Sequence, residues 1–211
     1  MNDIKIPFNL YDFLGYIVHG FLLLIGLIFL FDIAKDTIDG LISSYGLYPS
    51  GFMLLLISYI LGHINSDFGK LVIEDFYVKK MKGYPKVLET NKPFREEFNR
   101  VFDKYFENKF EDKDNKFLLA FHTVKENCPV AFSRIFSFLV SYGFARNLCM
   151  VFNVYALLFL IKFIYHINSW YFVGFLISIA FSYGFFRRYY KFLNHHNLEV
   201  YYSFYLYAKN K

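Results

Sequence analysis

Apolar positions along this chain gather into blocks, and four of the blocks are long enough to be read as bilayer-crossing helices. The first uncharged run goes from Phe13 to Phe31, closed by Asp12 and Asp32. Its 19 residues make about 28 Å of helix, close to the thickness of a hydrocarbon core. The second, 49–66, begins at Pro49, a residue suited to a first helical turn. It is shorter and its end is polar, which predicts that it sits mostly against protein. The third, 147–164, follows Arg146 and carries Lys162 near its far end, where a long side chain can snorkel to the interface. The fourth, 169–186, stops at Arg187 and Arg188. The link between the last two is too short for anything but a helical hairpin, so they are expected to be antiparallel neighbours.

Basic residues near the ends of these runs set an orientation. Lys70, Lys79, Lys80 and Lys82 follow the second run, Arg134 and Arg146 precede the third, and Arg187, Arg188 and Lys191 follow the fourth. All three groups share one side if both termini are cytoplasmic. The opposite loops hold Asp32, Lys35, Asp36 and Asp39, and a hairpin without lysine or arginine. The first run has acidic flanks and no small-residue cleavage site, so it is expected to stay in the mature protein.

The polar remainder is helical in pattern as well. In the central segment, Phe68 to Lys82 reads as an extension of the second run, broken by Gly83, Pro85 and Pro93. Phe94, Phe98, Val101, Phe102, Tyr105 and Phe106 recur at spacings of three and four, the mark of an amphipathic helix. A turn is expected at Glu111–Asn115, a further helix at Lys116–Glu126, and an apolar stretch at Pro129–Ala145 that lies on the membrane or joins the third run. No strand alternation or repeat is visible. The fold class is therefore all-α: a polytopic membrane protein with four transmembrane helices and a helical cytoplasmic insertion between the second and third. Its divisions are 1–66 (first helix pair), 67–145 (cytoplasmic region), 146–188 (hairpin) and 189–211 (aromatic, basic tail).

Composition adds little to this pattern. Of the 211 residues 56% are hydrophobic and 23% aromatic, against a soluble norm of about 45–50% apolar. The net charge of +5 would suggest nucleic acid, but a membrane protein collects lysine and arginine on its cytoplasmic side anyway, so direct nucleic-acid binding is not expected. Tyr189, Tyr190, Tyr201, Tyr202, Tyr205 and Tyr207 crowd the tail, where an interfacial or bundle-packed helix is the simpler reading than base stacking. Cys128 and Cys149 make neither a metal spacing nor a disulfide framework.

Few residues suggest chemistry. His19, inside the first run near Gly15, Gly20 and Gly26, fits either a close helix contact or a pore or proton-sensitive position. Gly62, His63, Asn65 and Asp67 form the densest polar cluster at a span end, with His63 and Asp67 on one helical face and able to pair. Asn153 is a polar group within the third run. No ligand set for zinc accompanies these residues, so no metal and no cofactor is expected. There is no phosphate loop, dinucleotide fingerprint or nucleophile elbow, and a metabolic enzyme is not expected. Arg188 and His195 stand in an Arg-x6-His spacing like that of HEPN ribonucleases. The pattern is short, and Arg188 is also expected to anchor the fourth span. Arg134, Arg146, Arg187 and Arg188 are the candidate cytoplasmic interface.

Leu10-Tyr-Asp-Phe-Leu-Gly-Tyr16, Gly62-His63, Arg146-Asn147 and Arg187-Arg188-Tyr189-Tyr190 sit in a layout that resembles small four-span bacterial membrane proteins of anti-phage loci. The family named by this resemblance is the membrane accessory of type VI-B CRISPR loci, which accompanies the RNA-guided ribonuclease Cas13b. The resemblance implies an inner-membrane accessory or effector of immunity, acting by homo-oligomerisation and pore formation or membrane perturbation, with the bilayer and a cytoplasmic Cas13b-like effector as partners. A small channel or transporter outside immunity, and a membrane-anchored HEPN-like ribonuclease, remain the alternatives.

Overall fold

Leucine, phenylalanine and isoleucine runs free of interior proline favour helix, and the computed structural model is helical over almost all of the residues it describes. Those are residues 10–30, 40, 43–83, 85, 87–106 and 116–211. Pro49, Pro93 and Pro129 each lie in a first turn, where a missing N–H leaves no helical bond unmade. The expected turn at Glu111–Asn115 and the loop carrying Asp32, Lys35, Asp36 and Asp39 fall outside the described residues.

Helix α1 is Leu10–Leu30 and α2 is Leu47–Gly69. The latter runs directly into a π-helix, Lys70–Lys82, whose wider turn is visible in the 2.6 Å bond from the Gly83 amide to the Val78 carbonyl. Then come α3 (Val87–Thr90), α4 (Lys92–Tyr105) and α5 (Lys116–Asn127). Two long helices close the chain, α6 (Pro129–His166) and α7 (Ser169–Lys209). Among the described residues, three stretches are long and apolar enough to cross a membrane: Leu47–Lys80, Pro129–His166 and Ser169–Lys209. The apolar part of α1, Gly15–Phe29, is shorter.

The chain divides into two compact units. An apolar unit gathers the described residues of 5–83 and 143–188; an aromatic unit gathers those of 84–142 and 189–211. The border at 188/189 falls where it was expected, but the division differs from the expected one in two respects. Residues 67–83 stay with the apolar unit, because α2 continues into the π-helix. The tail is no separate segment: helix α7 does not end at Arg187-Arg188, and its residues from Tyr189 onward help build the aromatic unit. Pro129–Ala145 likewise joins the third run as one helix, α6.

In the apolar unit, α1 and α2 meet backbone to backbone. Gly20 faces the Ser58 carbonyl and the Gly62 amide, and Gly62 faces the Tyr16 carbonyl. Farther along α1, Gly26 receives the ring of Tyr155 from α6, whose hydroxyl donates to the Leu22 carbonyl. Phe152 on α6 stacks on both Phe181 and Phe185 of α7, with ring centroids 5.0 and 5.6 Å apart. The hairpin between α6 and α7 is tight. Ile167 takes a left-handed φ of 46°, uncommon for a β-branched residue, and Asn168 caps α7 by accepting from the Trp170 amide at 3.0 Å. Contrary to expectation, α2 is not mostly covered by protein. Phe52, Leu55, Ile60 and Ile64 are all exposed, because only the side bearing Ser58, Gly62, Asn65 and Ser66 is packed.

The aromatic unit is built on the amphipathic helix read from the sequence. Asn91 caps α4 through the Phe94 amide, and Phe98 and Phe102 are fully buried. Together with Phe106, Ala120, Val124, Ile135, Val200, Phe204 and Tyr205 they form one core. The tail tyrosines are bundle members here. Tyr205 donates to Glu97 at 2.5 Å, Lys209 reaches the same carboxylate at 3.2 Å, and the Tyr205 hydroxyl beside it holds the Glu97 carboxyl below its usual range.

Candidate functional site

Two segments flagged separately in the sequence, the polar end of α2 and Arg146-Asn147 on α6, come together in the apolar unit. Arg146 sits where α6 passes the junction of α2 and the π-helix. Its Nη1 donates to Glu74 Oε1 at 2.8 Å, its Nη2 to Ser66 Oγ at 3.0 Å, and its Nε to Asn147 Oδ1 at 3.2 Å. Asn65 donates through Nδ2 to the Asn147 carbonyl at 3.0 Å, while its own Oδ1 is buried without a hydrogen-bond partner. The π-helix helps place these groups. Ile73 and Val78, five residues apart, are both buried, which is the spacing an i→i+5 turn puts on one face. The outcome is a polar clamp: a planar guanidinium with three acceptors, flanked by an amide–carbonyl bond, in otherwise apolar packing. The guanidinium keeps its charge and is itself neither acid, base nor nucleophile, and its planar fork suits it to fixing helix register.

The other flagged residues lie as follows. His19 is 1% exposed, its Nε2 3.2 Å from the Phe144 carbonyl and its ring tilted against Phe144, so it has no face on the outside of the chain. His63 is exposed and does not pair with Asp67; it stacks on Tyr16 at 3.8 Å, with Tyr59 edge-on. Asp67 is exposed. Asn153 accepts from Ser182 at 2.7 Å, joining α6 to α7, and Ser182 also meets Cys149. Of the glycines, Gly20, Gly26 and Gly62 are close-packed, whereas a Cβ added at Gly15 would meet nothing within 4 Å. Arg134 pairs with Glu199 at 3.2 Å on the surface of the aromatic unit. Arg187 and Arg188 are exposed, and His195 stacks on Phe138 at 5.7 Å. Among the described residues, no group of three His, Cys, Asp or Glu side chains is placed to hold a metal ion. Sequence reasoning did not single out Glu74, which accepts from Arg146, or Tyr155, whose hydroxyl donates to the Leu22 carbonyl.

In the aromatic unit, His196 is a second buried polar group. It lies among Phe117, Phe121 and Tyr142, with Nδ1 3.2 Å from Asn197 Oδ1 and Nε2 buried without a partner. Burial pushes its pKa below the ordinary 6.5, outweighing the Asn197 bond. The consequence for stability has a definite sign. Well above pH 6.5 the folded and unfolded histidine are both neutral and stability is full. As pH falls below that value the unfolded chain takes up a proton that the folded chain refuses, so stability drops until the lowered folded pKa is reached. The steepest loss from one such group is about 1.4 kcal/mol per pH unit. Melting of the purified protein at pH 7.5 and 5.5 should show a lower midpoint at acid pH, and His196→Phe should shrink the difference. An unchanged difference would mean that His196 is not the group responsible.

Comparison with protein-family models, with curated proteins and with solved structures gives no match for this chain.

Proposed function

We propose that this chain is a four-span protein of a bacterial inner membrane, with both termini cytoplasmic, that works by packing helices against one another and against further copies rather than by catalysis. The observation that carries this reading is the backbone contact of α1 and α2 at Gly20, Ser58 and Gly62. In lipid, apolar side chains gain nothing by leaving the solvent, and helices associate where small residues let their backbones approach. Support for the fourth span comes from α1, whose 21 residues make about 31 Å of helix. Support for the orientation comes from the lysines of the π-helix and from Arg134, Arg146, Arg187 and Arg188.

On this reading the aromatic unit is cytoplasmic and receives the signal, and the spans change their packing in response. The resemblance to membrane accessories of type VI-B CRISPR loci supports placing that signal in RNA-guided immunity, with a Cas13b-like effector as its source. Two measurements test the proposal. Native gels of the detergent-solubilised protein should show a homo-oligomer, and proteoliposomes should release an entrapped dye. A strict monomer that never alters permeability would overturn it, as would terminal tags reporting opposite sides of the membrane.

A further inference from the structure

Bare aromatic rings mark one end of the apolar unit. Tyr48 near the start of α2, Tyr165 near the end of α6 and Trp170 near the start of α7 are 89%, 80% and 77% exposed. Contacts among the helices place the three at one level. Helix α1 runs against α2, meeting it at Tyr16–Gly62 and Gly20–Ser58, and along α6, meeting it at His19–Phe144 and Leu22–Tyr155. Helices α2 and α6 are therefore antiparallel, and the Asn65–Asn147 bond gives them a shared starting height. From that bond Tyr48 is about 26 Å away along α2, and Tyr165 about 27 Å along α6 in the same direction. Helix α7 agrees. Ser182 meets Asn153, about 9 Å beyond Asn147, and Trp170 lies about 18 Å farther on, because the Phe159–Gly174 contact makes α6 and α7 antiparallel. Between the two levels the helices turn Leu56, Ile60, Leu157, Ile161, Leu176 and Ile179 outward, all of them exposed.

We propose that Tyr48, Tyr165 and Trp170 seat the protein on the lipid–water boundary at the hairpin end of the spans, their O–H and N–H groups donating to ester or phosphate oxygens of the lipid. The proposal rests on the membrane reading above. Spacing selects the occupant. A separation of about 27 Å between the polar contact and the rings is close to the thickness of a hydrocarbon core, about 27–30 Å. The Asn65–Asn147 level, with the Arg146 guanidinium beside it, then falls at the opposite boundary. A lipid boundary requires rings on separate helices to share one such level; a contact with another protein does not. Ring chemistry agrees, since tyrosine and tryptophan are apolar bodies with one polar edge and collect where lipid meets water. Lys162, about 4.5 Å short of Tyr165 on α6, is within reach of the same layer through its long stem.

Trp170 is the chain's single tryptophan, so its emission reports one site. The full protein, reconstituted into phosphatidylcholine–phosphatidylglycerol vesicles, is titrated with phosphatidylcholine carrying a nitroxide either near the ester end of its acyl chain or near the methyl end. The shallow label should quench Trp170 about two-fold more strongly than the deep one. Moving the tryptophan, as Tyr48→Trp or Tyr165→Trp in a Trp170→Phe background, should give the same order. Leu157→Trp in that background, about 12 Å below Tyr165, should reverse it. Equal or stronger quenching of Trp170 by the deep label would overturn the proposal, as would the opposite order in either tyrosine variant. So would full quenching by aqueous iodide with neither lipid label effective, or protection from all three quenchers, which would put another protein against the rings. The Leu157→Trp variant separates the two claims. If the deep label quenches it while Trp170 fails its test, only the seat is lost; if no lipid label quenches either tryptophan, the membrane reading fails as well.

Discussion

Gly62→Leu is expected to force α1 away from α2 and to lower stability by about 3 kcal/mol or more, at or above the upper end of ordinary overpacking. The obstruction is what makes the effect large. A Cβ at Gly62 would run into the Tyr16 carbonyl, and one at Gly20 into the Ser58 carbonyl. Both obstructions are backbone, so no rotamer change relieves them, and the helices themselves must move. His63 stacking on Tyr16, beside this contact, would be lost together with it. Even Gly62→Ala should lower the melting midpoint of the detergent-solubilised protein. Gly15→Ala, where added atoms meet nothing, should leave it unchanged or raise it slightly, since alanine is the better helix residue. A cysteine pair placed across α1 and α2 should cross-link in wild type and Gly15→Ala but not in Gly62→Leu. If Gly62→Leu melts and cross-links as wild type does, the backbone contact is not what joins the two helices.

The helices were legible in the sequence because their causes are local. The three- and four-residue spacing from Phe94 to Phe106 and the polar link before Ser169 each act within a few residues. Gly20 and Gly62 were legible as packing residues for a similar reason: a glycine inside an apolar helix is costly unless something approaches it. Gly15 shows the limit of that reasoning, since identical chemistry on α1 meets open space. The partners of Arg146 were not legible. Asn65, Ser66 and Asn147 all looked polar at span ends, but which meets which depends on the crossing of α2 and α6. Glu74 depends further on a change from an α to a π turn that no sequence spacing announced. The pairing of His63 with Asp67 failed because an aromatic neighbour on another helix competes for the imidazole, and four-residue spacing cannot register that. The tail was read by composition alone, and its tyrosines belong to a core whose other half lies about a hundred residues earlier.

Removing one side of the Arg146–Glu74 pair is expected to be the most damaging polar change in the apolar unit. Arg146→Met strands the Glu74 carboxylate, and Glu74→Leu strands the guanidinium. An orphaned buried charge typically costs about 3–5 kcal/mol. Here the side chains keep 14% and 17% exposure, so the lower end, about 3 kcal/mol, is the expected loss for either single variant. The double variant, Arg146→Met with Glu74→Leu, should recover most of it, because two apolar groups of similar volume leave nothing charged to desolvate. Arg146→Lys should fall between: an ammonium can still meet Glu74 but cannot fork to Ser66 and Asn147 as a planar guanidinium does. The double-mutant cycle in chemical or thermal denaturation isolates the coupling, and additive losses would show that the two groups stabilise the unit independently. Recovery in the double variant would also bear on why the pair exists. A clamp that apolar residues can replace without loss of stability contributes register between α2 and α6 rather than strength. Dye release by the double variant would then distinguish a protein that needs that register from one that needs only the fold.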